Sequence, residues 1–511
     1  MSAPFDTAFA RSSAPPRRTP AVVRLLVVAT FVVILNETIM INAIPRLMES
    51  FGVSEHAAQW VSTAFMLTMA AVIPVTGWFL RRVSTRTAYA TSMGVFLAGT
   101  TLAAVAPVFE VLLLGRVVQA VGTAVMMPLL MTTLMTVVPE SDRGRVMGNV
   151  TMAISVAPAL GPTVSGVVLQ LGSWRLLFLL VLPLAAAVTW SGLRQLENIG
   201  DPVASHIDWF SVVVAGLGFG SLVYGLSRFA EGEVDVAIGI AAVGFLLVGV
   251  FVLRQLRLQR TGSPLLDLRA FAHGTFTKAV VLMSVAFMAM MGSMILLPLY
   301  LQNVRPLSAL ETGLLVMPGG LAMGLLGPTV GRIFDRFGGR VLVIPGSIGI
   351  VVSLVGFTQI SMSMPYWQLL GLHMLMMVSL AATFTPVFTL GLGALPMHLY
   401  SHGSSILGTL QQVAAAFGTA LAVTVVTLRA EQVVETVGGV QAQLSGMRAA
   451  FAVSALISLV VVVMAWLLPG RPPAVAPEPA EPAAEAAPEG QLENELEALC
   501  AHGAEPAACS C

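Results

Sequence analysis

The chain has 511 residues, of which 56% are hydrophobic and only 10% are charged. Soluble domains typically contain about 25% charged residues, so this composition excludes a chain built from water-soluble domains. Acidic and basic residues balance at 26 each, which gives no indication of a nucleic-acid partner or of an acidic one.

The N-terminal region predicts a polar arm followed by a span that is retained in the membrane. Residues 1–20 contain three arginines, and the apolar run that follows extends to residue 44, which is too long for the core of a signal peptide. About 20 apolar residues cross the hydrocarbon core of a bilayer, so the sequence predicts an all-α integral membrane protein with 14 spans. Their centres lie near residues 34, 68, 97, 122, 156, 183, 217, 244, 288, 320, 350, 380, 415 and 457.

The distribution of lysine and arginine predicts the orientation of these spans. With the N-terminus in the cytoplasm, 19 of the 26 basic residues fall on the cytoplasmic side, six on the outer side and one within a span. Basic residues concentrate in cytoplasmic loops. We therefore expect a multi-pass protein of the cell membrane with both termini cytoplasmic.

Two loops share one pattern, in which a glycine is followed after three residues by two polar residues and later by an arginine. The loop after span 2 contains Gly77, Arg82 and Arg86, and the loop after span 10 contains Gly331, Asp335, Arg336, Gly338 and Arg340. In the first loop, Arg81 and Ser84 stand at the positions of Asp335 and Gly338. We predict that both loops form a cytoplasmic gate, where an aspartate can cap a helix and pair with arginine.

Two such loops, eight spans apart, predict paired six-helix halves, a common plan among transporters. The predicted segments are a cytoplasmic arm at 1–20, a half at 21–200, an inserted helix pair at 201–260, a half at 261–470 and an acidic tail at 471–511. The tail is rich in Pro, Ala and Glu, a composition typical of disorder.

Two charged residues lie inside predicted spans. Glu37 lies roughly 22 Å from the cytoplasmic end of span 1, at 1.5 Å per residue, and an ionisable group at that depth indicates function. It would carry the coupled proton, bind a cationic substrate, or do each in turn; the structural alternative is a neutral, hydrogen-bonded carboxyl. Arg116 in span 4 is a fixed positive charge, and its structural alternative is a clamp on backbone carbonyls and Gln119.

Further polar and small residues are weaker candidates. Pro162 interrupts the hydrogen bonding of span 5, and the small residues Gly161, Ser165 and Gly166 would let a neighbouring helix approach closely. Interhelical hydrogen bonding explains the remaining polar residues as well as a cavity does. These cavity-lining candidates are Asn36, Asn42, Gln119, Gln411 and Gln412.

In their order and spacing, these motifs resemble those of the Major Facilitator Superfamily, specifically its fourteen-helix drug/proton antiporter branch. The segment 331–340 is similar to the superfamily's cytoplasmic loop signature, and 161–166 is similar to the antiporter motif of exporters. Further similar segments are 35–45, 116–122, 174–183, 208–209 and 297–302, although Asn36 stands where an aspartate is common. The resemblance implies a major facilitator fold, a proton-coupling role for Arg116, and export rather than uptake.

The predicted function is therefore proton-coupled export of hydrophobic or cationic drugs, which would confer antibiotic resistance. It needs a small-molecule substrate, protons and the lipid bilayer, but no cofactor, metal, catalytic site or nucleic acid, and we expect a monomer. The alternatives are a dedicated exporter of one metabolite or antibiotic, an uptake transporter and a membrane sensor. An enzyme is disfavoured because the sequence contains no His-Glu-x-x-His or Gly-x-Ser-x-Gly motif, and a P-loop pump is disfavoured because the one lysine, Lys278, follows threonine.

Overall fold

The computed structural model describes residues 20–40, 43–199, 206–229, 234–261 and 264–471, and within these ranges the regular structure is helical. Residues 1–19 of the predicted arm, Asn42 and the predicted tail from residue 472 onward lie outside the described residues.

A long helix forms at each of the 14 predicted span positions, which confirms the predicted all-helical fold. The helices are numbered here as the spans were. They are α1 Ala21–Ile39, α2 Glu55–Arg82, α3 Thr85–Ala104, α4 Phe109–Val137, α5 Arg143–Gln170, α6 Arg175–Gln195, α7 Trp209–Phe229, α8 Val234–Thr261, α9 Gly274–Leu299, α10 Ala309–Phe337, α11 Arg340–Phe357, α12 Tyr366–Gly393, α13 Tyr400–Val437 and α14 Gly439–Leu467.

Among the described residues, 13 helices are long and apolar enough to cross a membrane. The long helix that is not among them is α3. Its 20 residues include five threonines and a serine, which lower its mean hydropathy. Several of these hydroxyls donate to carbonyls one turn earlier, as Thr91 does to Thr87 and Thr100 to Phe96, so they are satisfied within the helix. We therefore keep α3 as a span.

The end of the first span differs from the prediction. The apolar run extends to residue 44, but α1 ends at Ile39 and a separate short helix, Ile44–Phe51, follows. Pro45 stands in the first turn of this short helix, where proline is favoured and where it cannot continue a preceding helix.

The two predicted halves pack together along α5 and α10 through small residues. A Cβ atom added at Gly148 would collide with the backbone of Gly327, and one added at Gly331 would collide with the carbonyl of Gly144. Glycines four apart on both helices thus allow backbone-to-backbone contact.

The inserted pair α7 and α8 packs on both halves, because α7 contacts α2 and also α13. The Trp60 and Tyr224 rings lie 5.5 Å apart. Asp208, just before α7, pairs with Arg254 of α8 at 2.6 and 2.9 Å. This bidentate ion pair holds the start of α7 to the C-terminal part of α8.

Candidate functional site

Arg116 is fully buried among polar groups of the N-terminal half. Its Nε donates to the carbonyl of Val61 at 3.2 Å, its Nη1 donates to Gln119 Oε1 at 3.0 Å, and its guanidinium lies 4.1 Å from the centre of the Phe65 ring. Gln119 in turn donates to Thr100 at 2.8 Å. These contacts are those of the structural alternative, a clamp on backbone carbonyls and Gln119. They hold the positive charge in a fixed place.

Glu37 lies on α1, half-buried, close enough to Arg116 for the two charges to interact. Among the described residues, none forms an ion pair or a hydrogen bond with its carboxyl. A carboxyl that interacts with a fixed cation without being bonded to it remains available to a proton or to a cationic ligand.

The predicted antiporter motif contacts the residue that follows Glu37. A Cβ atom added at Gly161 would collide with Thr38 Oγ1 and Cβ, and Thr38 Oγ1 lies 3.5 Å from the carbonyl of Ala157. Ser165 is fully buried, whereas Gly166 has open space around it. The glycine before Pro162 is thus the position at which α5 and α1 approach most tightly within this motif.

A cavity lies between the halves, with a mostly apolar lining of uncharged residues. Its volume is about 20 Å³, which is far below the roughly 300–1,000 Å³ of drug-sized sites. The conformation is therefore contracted around its centre. The lining residues are Met127, Pro128 and Met131 of α4, Phe388 and Leu392 of α12, and Ser404, Leu407, Gly408 and Gln411 of α13.

Beyond this cavity, a layer of polar contacts joins the halves at the predicted cytoplasmic side; we call it the closed end. It is formed by the C-terminal parts of α2, α4, α10 and α12 and the N-terminal parts of α5 and α13. The hydroxyl pairs are Thr76 with Ser405 at 2.8 Å, Thr132 with Ser404 at 3.0 Å and Thr151 with Thr385 at 2.8 Å, and Arg143 reaches the Tyr400 hydroxyl at 3.4 Å.

The two predicted gate loops contribute to the closed end in different ways. Asp335 of α10 accepts from the backbone N–H groups of Gly144 and Arg145, at 2.8 and 2.7 Å, and so caps the first turn of α5. Arg81, at the matching position of α2, instead contacts His402 Nε2 of α13 at 3.3 Å. One side of the closed end is thus held by a carboxylate at a helix N-terminus and the other by an arginine–histidine contact.

The other gate residues have local roles. Gly77 brings α2 against His402, and Ser84 caps α3 by accepting from Thr87 N at 3.3 Å, which explains a serine where the second loop has glycine. Gly338 has a φ of 83°, a conformation that favours glycine. Arg340 donates to the carbonyl of Leu468 at 3.1 Å. The arginines at 82 and 336 lie over Trp78 and Phe337, and the one at 86 is exposed.

The cavity-lining candidates separate into different environments. Gln411 lies in the cavity lining, Gln119 belongs to the Arg116 network, and Gln412 is half-buried outside the named lining. Asn36 is fully buried, and its amide has no hydrogen-bond partner among the described residues.

Sequence reasoning missed the polar residues of the closed end, above all Thr132, Thr151, His402 and Ser404. Each is a single hydroxyl or imidazole in an apolar helix, which sequence alone does not distinguish from a residue bonded within its own helix. The available signal was the repeat itself, because the partners of the gate loops lie in the first turns of α5 and α13, the matching helices of the two halves.

Two helical halves that meet around a central cavity define the class of membrane transporters built from structural repeats. The chain belongs to the Major Facilitator Superfamily, whose family model matches residues 26–419. This match confirms the family that the sequence motifs indicated.

Relatives and solved structures agree with this assignment. The chain is 38% identical over 464 residues to the uncharacterized MFS-type transporter YcnB of Bacillus subtilis, covering 89% of this chain and 97% of that protein. It is 36% identical over 422 residues to the lincomycin resistance protein LmrB of Listeria monocytogenes, covering 82% and 89%. The fold is similar to the crystal structure of the human organic anion transporter MFSD10, with a TM-score of 0.65 and 14% identity, over 88% of this chain and 100% of that one.

Proposed function

We propose that this protein exports hydrophobic compounds, including drugs, across the cell membrane in exchange for protons. The main observation in support is the extensive sequence similarity to a protein named for lincomycin resistance. The two methionines of the cavity lining, Met127 and Met131, support it, because methionine side chains adapt to ligands of different shapes. The tight approach of α5 to α1 at Gly161 is consistent with an exporter's sealed helix interface.

In this proposal, substrate and proton use separate sites. The cavity lining is uncharged, whereas Arg116 lies 11 residues before Met127 on α4, about 16 Å away at 1.5 Å per residue. Glu37 would take up and release the proton, and Arg116 would act as the fixed charge that favours its ionised form. The halves would rock about the cavity, with both termini on the cytoplasmic side.

Transport in inverted membrane vesicles tests this proposal. A respiration-driven pH gradient is reported by quenching of an acridine dye, and lincomycin, ethidium and a panel of other antibiotics are added in turn. We expect wild type to release protons, seen as dequenching, when a substrate is added. Glu37→Gln should lose at least about 90% of this response, because a group that cannot titrate cannot carry a proton.

Glu110→Gln is the matched control, since Glu110 is an exposed acid in the first turn of α4 and should keep the wild-type response. Equal responses in Glu37→Gln and wild type would remove Glu37 from coupling. A response to one compound alone would indicate a dedicated exporter, and no response beyond that of vesicles lacking the protein would contradict export of the compounds tested.

A further inference from the structure

A second cavity lies away from the centre, within the N-terminal half. This lateral crevice is bounded by α2, α3 and α4 and has a volume of about 280 Å³. Five valines, Phe79 and Trp78 are among its lining residues. On α2 it runs from Val72 to Phe79, which is about 10 Å of helix.

One polar group in the crevice has no partner. The indole Nε1 of Trp78 is buried and has no hydrogen-bond acceptor among the described residues. Because this nitrogen is buried, water does not satisfy it, and an unsatisfied buried donor costs free energy. A ligand that brings an oxygen acceptor into the crevice would remove this cost.

A positive charge stands at the same end of the crevice. Arg82 follows Trp78 by one turn on α2, is exposed, and has its guanidinium 5.8 Å from the centre of the Trp78 ring. Tryptophan and arginine are typical anchors at the level of lipid headgroups. Towards the membrane surface, the crevice presents first an apolar groove, then an indole donor without a partner among the described residues, and then a cation. These features match the acyl chain, the oxygen acceptors and the phosphate of an anionic phospholipid.

We propose that the lateral crevice binds one acyl chain of an anionic phospholipid from the predicted cytoplasmic leaflet. The indole N–H of Trp78 donates to an ester or phosphate oxygen, and Arg82 attracts the phosphate. Lipid binding in this crevice does not depend on transport activity.

A lipid bound in the crevice would shift the conformational equilibrium of the whole protein. Thr76 lines the crevice and also lies 2.8 Å from Ser405 across the closed end. A lipid that braces this part of α2 stabilises the arrangement in which the crevice is formed, and a ligand shifts an equilibrium towards the state it binds more tightly.

Quenching by brominated lipid tests the site directly. The full chain is reconstituted in phosphatidylcholine vesicles with increasing fractions of phosphatidylglycerol that has brominated acyl chains, since bromine quenches indole fluorescence at short range. The contribution of Trp78 is the difference between wild type and Trp78→Phe. We expect it to saturate at a low fraction of brominated phosphatidylglycerol, and to require a much larger fraction of brominated phosphatidylcholine.

The chain offers a matched control on α6. Trp190 is exposed, and the Arg194 guanidinium lies 4.1 Å from its ring centre, so this pair repeats the Trp78–Arg82 spacing at the lipid surface. Quenching assigned to Trp190 through Trp190→Phe should follow the bulk lipid fraction. Arg82→Gln should raise the lipid fraction for half-quenching of Trp78 about fivefold, because one basic residue contributes about 1 kcal/mol to the attraction of anionic lipid. Arg194→Gln should leave this fraction unchanged.

Two results would overturn the proposal. If both brominated lipids quench Trp78 in proportion to their bulk fraction, as for Trp190, the crevice holds only exchanging bulk lipid. If lincomycin restores Trp78 fluorescence at saturating brominated phosphatidylglycerol, the crevice belongs to the transported compounds.

Discussion

At the residue scale, Gly161 brings the predicted antiporter motif into contact with α1 next to Glu37. Its missing side chain leaves room for Thr38, the residue after Glu37. Threonine is branched at Cβ and stiff at χ1, so it cannot swing away from an added methyl group. The helix α1, and Glu37 with it, would have to move instead.

Gly161→Ala should therefore reduce transport strongly, with an overpacking cost of about 1–3 kcal/mol in the state that holds α1 against α5. Gly166→Ala, in the same motif but with open space around it, should keep near-wild-type transport. Substrate-induced dequenching in inverted vesicles compares the two. Equal activities would mean that the close approach at Gly161 has no part in the transport cycle.

Residue-level prediction from sequence succeeded best where a charge is rare. Glu37 and Arg116 could be singled out because ionisable groups are costly inside spans. The partners of Arg116 could not be fully predicted, because one of them is the backbone carbonyl of Val61 on another helix, and every residue has a carbonyl. The proton-coupling roles of both residues remain predictions.

At the scale of the helices, the inserted pair is held by one ion pair at its end. The Arg254 guanidinium, which donates to Asp208, holds the pKa of the Asp208 carboxyl below its ordinary value. Arg254 is 40% exposed, so solvent screening limits the pair to less than about 1 kcal/mol.

Asp208→Asn should lower the melting temperature of the purified protein slightly at pH 7. Because the folded pKa of Asp208 lies below the unfolded value of about 3.9, its stabilisation is complete above that value. It is lost as the pH falls through the folded pKa, so the difference between variant and wild type should vanish there. Asp235→Asn, an exposed acid at the start of α8, serves as the control; a pH-independent difference for Asp208→Asn would contradict this account.

Helix positions followed from the sequence because each span requires a long apolar run, and all 14 predicted centres fall within helices. Helix ends followed less well. The apolar run of the first span continues past Ile39, and hydropathy cannot detect that the chain turns there into the helix Ile44–Phe51. Such ends depend on local backbone geometry and on packing against other helices.

At the scale of the whole molecule, the closed end is asymmetric. Asp335 accepts two backbone hydrogen bonds from α5, whereas Arg81 makes one 3.3 Å contact with His402. Hydrogen bonds to a charged group contribute about 1.5–3 kcal/mol each, so the two short bonds to Asp335 should contribute more than the single, longer contact of Arg81. The α5–α10 side should therefore resist opening more than the α2–α13 side.

Asp335→Asn should destabilise the closed end by about 2 kcal/mol, a shift of roughly thirtyfold in the open-to-closed ratio, and Arg81→Gln should shift it much less. Spin labels at Ser141 and Met397, exposed positions of the two halves at this end, report the change as a longer distance. The labels require replacement of Cys500, Cys509 and Cys511 by serine. Equal shifts for the two variants would refute the asymmetry.

The position of α7 has a mechanical consequence. This helix rests on α2 of one half and on α13 of the other, and rigid halves that rotate apart cannot both keep their contact with it. In the proposed rocking cycle, one of these faces would exchange protein neighbours for lipid tails and then recover them. The free energy of that exchange depends on the thickness and lateral pressure of the bilayer. The properties of the membrane would therefore contribute to the free energy of the transport cycle.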